Sequence, residues 1–134
     1  MNYYKTNKNF LLVFSHTLTK TQLKDAKSMG ITKFIYLPED LQNIWSNICA
    51  EGNLPISDLE RIVEWINLNS NRGDFVLVQG DFGATYYIVN KCFEMGLVPV
   101  YSTTKRIASE ENISESKVGK QSIFEHVSFR KYIK

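Results

Sequence analysis

The sequence predicts an α/β protein: a Rossmann-like, mostly parallel sheet with helices on both faces and a C-terminal antiparallel hairpin. Three observations carry this. Short unbroken apolar runs, the kind buried on both faces of a parallel sheet, alternate with segments of helical periodicity. Near the C-terminus the pattern switches to strict alternation of apolar and polar residues. The length of 134 residues, 43% of them apolar and 22% charged, suits one domain, 1–134, whose core needs no disulfide or metal staple.

Phe10 to Phe14 (FLLVF) reads as the first strand, with Ser15 and His16 just past its carboxyl end. Thr19 and Gln22 form a capping box opening a helix that buries Leu23, Ala26 and Met29 and stops at Gly30. Thr32 to Leu37 is the second strand. Pro38 suits the first turn of a second helix, with Glu39 and Asp40 at its positive end and Leu41, Ile44, Trp45 and Ile48 at helical spacing. A third helix follows Gly52 to Pro55, with Ser57 and Glu60 as a second capping box and Leu59, Ile62, Val63 and Ile66 on one face. Asp74 to Gln79 is the third strand. Gly80 to Gly83 (GDFG) turns into a helix from about Ala84 to Met95, closed by Gly96. Leu97 to Tyr101 is the fourth strand, with Pro99 tolerable only where its missing donor is not needed. Ser109 to Lys120 reads as a polar loop, and Ile123 to Phe129 as the returning strand of a hairpin beside the sheet.

Composition narrows the class. Cys49 and Cys92, with no C-x-x-C spacing, make neither a disulfide framework nor a zinc knuckle and read as small core residues. There is no apolar run long enough to span a membrane and no signal-peptide pattern, so the expectation is a cytoplasmic protein. A net charge of +2 is too small for an electrostatics-dominated binder of duplex DNA. Charge is unevenly distributed, however. Residues 36–65 carry six acids against Arg61. From 117 onward, Lys117, Lys120, Arg130, Lys131 and Lys134 face only Glu125, and Lys105 and Arg106 lie nearby. That clustering suits a small polyanion as well as it suits a solvated tail.

Open parallel sheets bind ligands beyond the carboxyl ends of their strands. Candidates there are Ser15 and His16, then Gln79, Gly80, Asp81, Phe82, Gly83, Ala84 and Thr85, then Ser102, Thr103, Thr104, Lys105 and Arg106. The two glycines and the helix behind them suggest an anion cradle of backbone amides. The turn is G-x-x-G, without the dinucleotide or P-loop fingerprints, which disfavours a nicotinamide enzyme or an NTPase. Each candidate also has a plain structural reading. Asp81 suits a helix cap, Ser15 and His16 a turn, and Lys105 with Arg106 a solvated pair. Phe82, Tyr86 and Tyr87 read first as core, and His126 as solvent-facing. Neither a metal-ligand cluster nor a Ser-His-Asp set is legible from spacing.

Five segments together, LVFSHTLTKTQLKDA, YLPEDLQNIWSN, DFVLVQGDFGATY, GLVPVYSTTKR and FEHVSFRKY, span nearly the whole chain. In order and combination they resemble the stand-alone ring nucleases of type III CRISPR systems, in particular the small family standing twentieth in the Csx series. The resemblance implies a CARF-like fold, a homodimer without cofactor or metal, and a cyclic oligoadenylate ligand, most simply cyclic tetra-adenylate, which the enzyme linearises to end antiviral signalling. In such metal-independent opening the substrate's ribose 2′-hydroxyl attacks the adjacent phosphorus, so the protein holds in-line geometry, offsets phosphorane charge and manages two protons. Lys105 and Arg106 would then meet phosphate charge. Thr103, Thr104 and the Gly80 to Ala84 amides would position the ring, and Asp81, Ser15 or His16 would serve the 2′-hydroxyl. Two other expectations stand beside this one: a non-cleaving sensor or sequestering protein for the same ring, and a small nucleotide-binding protein of unrelated metabolism.

Overall fold

A computed structural model describes the backbone of residues 7–114 and 117–134 and the side chains of 7–107 and 123–134. Five strands form one sheet in the order β2-β1-β3-β4-β5. They are β1 (Lys8–Val13), β2 (Ile31–Tyr36), β3 (Phe75–Val78), β4 (Val98–Ser114) and β5 (Lys117–Lys131). The first four run parallel, and β5 returns antiparallel to β4.

The apolar run in β1 is explained by its place between β2 and β3, with both faces covered. Leu11 and Val13 face a core built with α2 (Glu39–Ser46), α3 (Ile56–Asn69) and α4 (Phe82–Glu94). Phe10 and Leu12 face a second, smaller core closed by α1 (Lys20–Ser28). There Phe10 packs against Phe34, Phe75 and Phe129 at centroid distances of 6.2, 6.4 and 5.1 Å. Helices therefore cover both faces of the sheet, as expected.

The helix starts are only partly as expected. The Thr19–Gln22 capping box is present, with the Gln22 amide donating to Thr19 Oγ1 (3.2 Å) and the Thr19 amide to Gln22 Oε1 (2.9 Å). Gly30 follows this helix with φ 87°, a conformation that favours glycine. The Ser57–Glu60 box does not form. Helix α3 begins at Ile56, two residues earlier than a Ser57 cap would start it, so Ser57 lies inside the first turn and Pro55 occupies the cap without a side-chain bond. Pro38 likewise sits at the cap of α2, one position before the first turn, and α4 starts at Phe82, two residues ahead of Ala84.

The largest departure is the hairpin. Strand β4 runs for 17 residues, not five, and β5 for 15. Their paired backbones occupy most of the stretch that polarity assigned to a loop, while 115–116 lie outside the described residues. Strand β3 pairs with β4 only as far as Leu77 opposite Val100, so the hairpin overhangs the carboxyl end of the sheet. Pro99 faces the point where β5 stops: the Tyr132 amide donates to its carbonyl (3.0 Å), one residue past the last strand residue, Lys131. The missing N–H thus falls at the end of the ladder.

Candidate functional site

The chain leaves β1 toward β2 on one side and resumes at β3 on the other. That reversal marks the carboxyl ends of β1 and β3 as the crevice where such a sheet receives ligands. Helix α2 backs the crevice. Gln42 Nε2 donates to the Phe14 carbonyl (3.0 Å), Ser46 Oγ to Ser15 Oγ (3.2 Å) and Trp45 Nε1 to the Gln79 carbonyl (2.9 Å). His16 is exposed and stacks edge-on against Phe14 at 5.4 Å.

The Gly80–Gly83 turn divides into two different requirements. A Cβ on Gly80 would stand 2.8 Å from the Trp45 indole, so packing alone demands glycine there. A Cβ on Gly83 would meet nothing nearer than Leu54 Cδ1 at 3.4 Å, so packing leaves that position open to alanine. Asp81 is the N-cap of α4, accepting from the Ala84 amide (3.0 Å), and Ala84 itself is fully buried. The cradle is thus narrower than the sequence suggested, because the Ala84 amide is taken by the protein's own carboxylate. Phe82 and Gly83 keep the amides that a helix leaves open in its first turn.

Phe82 and Tyr86 correct the expectation that they belong to the core: they are 95% and 74% exposed. Tyr87 is half-buried, and its hydroxyl donates to Glu60, which holds its pKa above the ordinary value. Phe82 lines a cleft of about 380 Å³ with Gln79, Gly80, Thr85, Tyr101 and Tyr132. Thr85 Oγ1 is the one buried side-chain polar atom without a partner among the described residues. Tyr132 donates to the Val78 carbonyl (2.7 Å), its ring lies 4.9 Å from Tyr101, and burial and then Tyr101 raise its pKa. Arg130 sits over Tyr101 at 5.8 Å. Tyr101, Arg130 and Tyr132 were not candidates from sequence, because their convergence depends on the β4–β5 register.

The residues expected just past β4 lie within it. Alternation along the strand puts Thr103 and Lys105 on the face of Tyr101, toward the cleft, and Thr104 and Arg106 on the face of Ser102, toward α1. The two cations adjacent in sequence therefore serve opposite faces. Lys105 stands opposite Glu125 and Arg106 opposite Phe124. Thr103 Oγ1 is bonded to Ser128, accepting from its amide and donating to its carbonyl (both 3.1 Å). Lys117 and Lys120 lie outside the described side chains.

Ser102 and His126 are the largest surprise. His126 does not face solvent; its side chain is 3% exposed. Its Nδ1 lies 2.5 Å from Ser102 Oγ and its Nε2 2.8 Å from Asp25 Oδ2. The members stand 24 and 101 residues apart, which is why spacing gave no sign of them. This is not the machinery of a serine hydrolase. Ser102 is buried, its amide is spent on Gln79 Oε1 (2.7 Å), and Gln22 Nε2 donates to its hydroxyl (3.4 Å).

Among the described residues no group of three or more His, Cys, Asp or Glu is placed to hold a metal ion, and no helix is long and apolar enough to cross a membrane. Residues 8–130 match the family described as "Uncharacterized protein MJ1673 family". The chain is 45% identical over 122 residues to the "Uncharacterized protein MJ1673" of Methanocaldococcus jannaschii, covering 90% of this chain and 94% of that protein. No solved structure matches.

Proposed function

This chain belongs to the MJ1673 family, and from the site just described we propose that it is a ring nuclease with a Rossmann-like, CARF-like fold. It would bind cyclic oligoadenylate, most simply cyclic tetra-adenylate, as a cytoplasmic homodimer and open it without metal. One observation carries the proposal. At the β1/β3 crevice an aromatic cleft (Phe82, Tyr101, Tyr132) meets the open end of α4, with Arg130 over Tyr101 and Lys105 on the same hairpin face. Aromatic faces beside cations on a protein of near-neutral charge suit a single-stranded nucleotide ligand. The segment resemblance given above narrows that class to the cyclic oligoadenylates.

In the proposed reaction a ribose 2′-hydroxyl attacks its adjacent phosphorus and loses its proton, the 5′-oxygen leaves and gains one, and a 2′,3′-cyclic phosphate forms. Lys105 and Arg130 offset charge on the cleft side, the Phe82 and Gly83 amides hold a phosphate oxygen, and the rings stack adenine. One observation favours the second reading, a sensor that binds without cutting. Each proposed base is engaged or displayed elsewhere: Asp81 caps α4, Ser15 bonds Ser46, and His16 rests on Phe14. Incubation with cyclic tetra-adenylate in EDTA separates the readings. Linear product ending in a 2′,3′-cyclic phosphate is expected. Intact ring retained in complex identifies a sensor, and no binding refutes both.

A further inference from the structure

We infer that Asp25, His126 and Ser102 are positioning residues that lock the overhanging hairpin, and with it Thr103 to Arg106, in register with the turn after β3; the activity readout rests on the ring-binding reading of that site. Beyond Ser102 the hairpin has left the pairing between β3 and β4, which ends at Val100, so its angle must be set by side chains. Three of them converge on Ser102. Gln79, from the turn after β3, accepts from its amide, and Gln22, from α1, donates to its hydroxyl. His126, from β5, lies against the same hydroxyl and bonds Asp25 of α1 through its other nitrogen.

The donors form a directed chain. With His126 Nε2–H donating to the Asp25 carboxylate, Nδ1 is left to accept from the Ser102 hydroxyl, which in turn accepts from Gln22. Both ring nitrogens of His126 and the Ser102 hydroxyl have partners, and a satisfied, largely buried network fixes geometry more sharply than apolar packing does. The backbone is altered to allow it. Thr103 pairs with Ser128 but Thr104 pairs with His126, so Val127 is an extra residue in β5. Regular pairing would set Val127 opposite Thr104 and turn His126 to the far face. The bulge brings His126 onto the face of Ser102, where its ring rests 4.5 Å from Phe129. Bulges that re-aim one side chain cluster beside functional sites.

A purely structural network would loosen the whole fold when cut, whereas a positioning network loosens the hairpin and weakens ligand capture. The test uses the full chain with Ser102→Ala, His126→Gln (which keeps a donor toward Asp25 but offers Ser102 no ring nitrogen) and Asp25→Asn (which keeps an acceptor). Amide exchange at 103–107 and 123–127 is expected to rise about five- to tenfold in the first two, with β1 and β3 keeping wild-type protection. KM for cyclic tetra-adenylate rises by a similar factor with kcat less affected, and Asp25→Asn stays near wild type on both. Nitrogen NMR of the wild-type imidazole, which needs no variant, is expected to show the Nε2–H tautomer. Unchanged hairpin exchange, an equal rise in β1 and β3, or a proton on Nδ1 in place of Nε2 overturns the inference. Should the wild type neither bind nor cut the ring, the ring reading falls while exchange and tautomer still decide the lock. If it cuts and the loosened variants keep wild-type KM, the positioning role falls and the ring reading stands.

Discussion

At the scale of single residues, two glycines three positions apart have different physical reasons to be there. Gly80→Ala would push a methyl into the Trp45 indole at 2.8 Å, so a loss of about 1–3 kcal/mol is expected, read as a lower denaturant midpoint. Trp45→Phe in the same chain should recover part of that loss, and independent, additive effects would disprove the clash. Gly83→Ala should do the reverse, raising stability by about 0.5–1 kcal/mol because the site is helical and open. If the Gly83 amide meets a phosphate closely, the same change weakens ring binding; a titration showing wild-type affinity would remove that amide from the site. The sequence made this turn visible, since Gln79 to Gly83 follow an apolar run ending a strand. It did not distinguish the glycines, because Trp45 reaches Gly80 only through the packing of α2.

Elements were legible where one period dominates. The apolar run of β1, the capping box of α1 and the apolar faces of α2 and α3 stand as expected, since burial on a known period decides them. The hairpin was not, for a physical reason. Residues 102–114 are too polar to look like a buried strand, but all except Ile113 find a backbone partner in β5, and pairing between strands needs no apolar face. His126 was misread on the same account, because a single bulge inverts the face that alternation assigns. The register also splits Lys105 from Arg106. Lys105→Ala, on the cleft face, should slow ring opening about 10²-fold or more, as loss of a transition-state contact does, and Arg106→Ala, on the face of α1, should slow it less. Glu64→Ala, on exposed α3 surface, should leave turnover intact. Similar rates for all three would take both cations out of the chemistry.

For the whole molecule, burial sets an alkaline limit. The Cys92 thiol is pushed up to about 12 from an ordinary 9.0 by burial, and Tyr132 is raised for the same reason, while Cys49 is exposed. Both groups stay protonated in the fold but ionise more readily once unfolded. The Cys92 contribution is therefore complete below about pH 9 and is lost as pH rises toward 12, at about 1.4 kcal/mol per pH unit, and that of Tyr132 is lost in the same direction as pH rises past its ordinary 10.0. Denaturant melts from pH 8 to 11 should show this decline, and Cys92→Ala should flatten it; a profile indifferent to Cys92 would contradict the assignment. Assembly is the second question at this scale. A four-membered ring has rotational symmetry that one chain without internal repeats cannot match, so one ring per two chains is expected. Calorimetry with an inactive variant and light scattering would report it, and one ring bound per 15.5 kDa monomer would refute it.

The indole behind Gly80 has an optical consequence. Trp45 is 2% exposed and donates to the carbonyl of Gln79, at the lip of the cleft, whereas the other tryptophan, Trp65, lies on α3. With Trp65 replaced by phenylalanine, the emission of the protein would come from one ring hydrogen-bonded to the turn a ligand must touch. Its wavelength and quenching would then follow occupancy of the crevice in real time, without label or turnover, and would separate arrival of a ring from its opening in a single mixing trace.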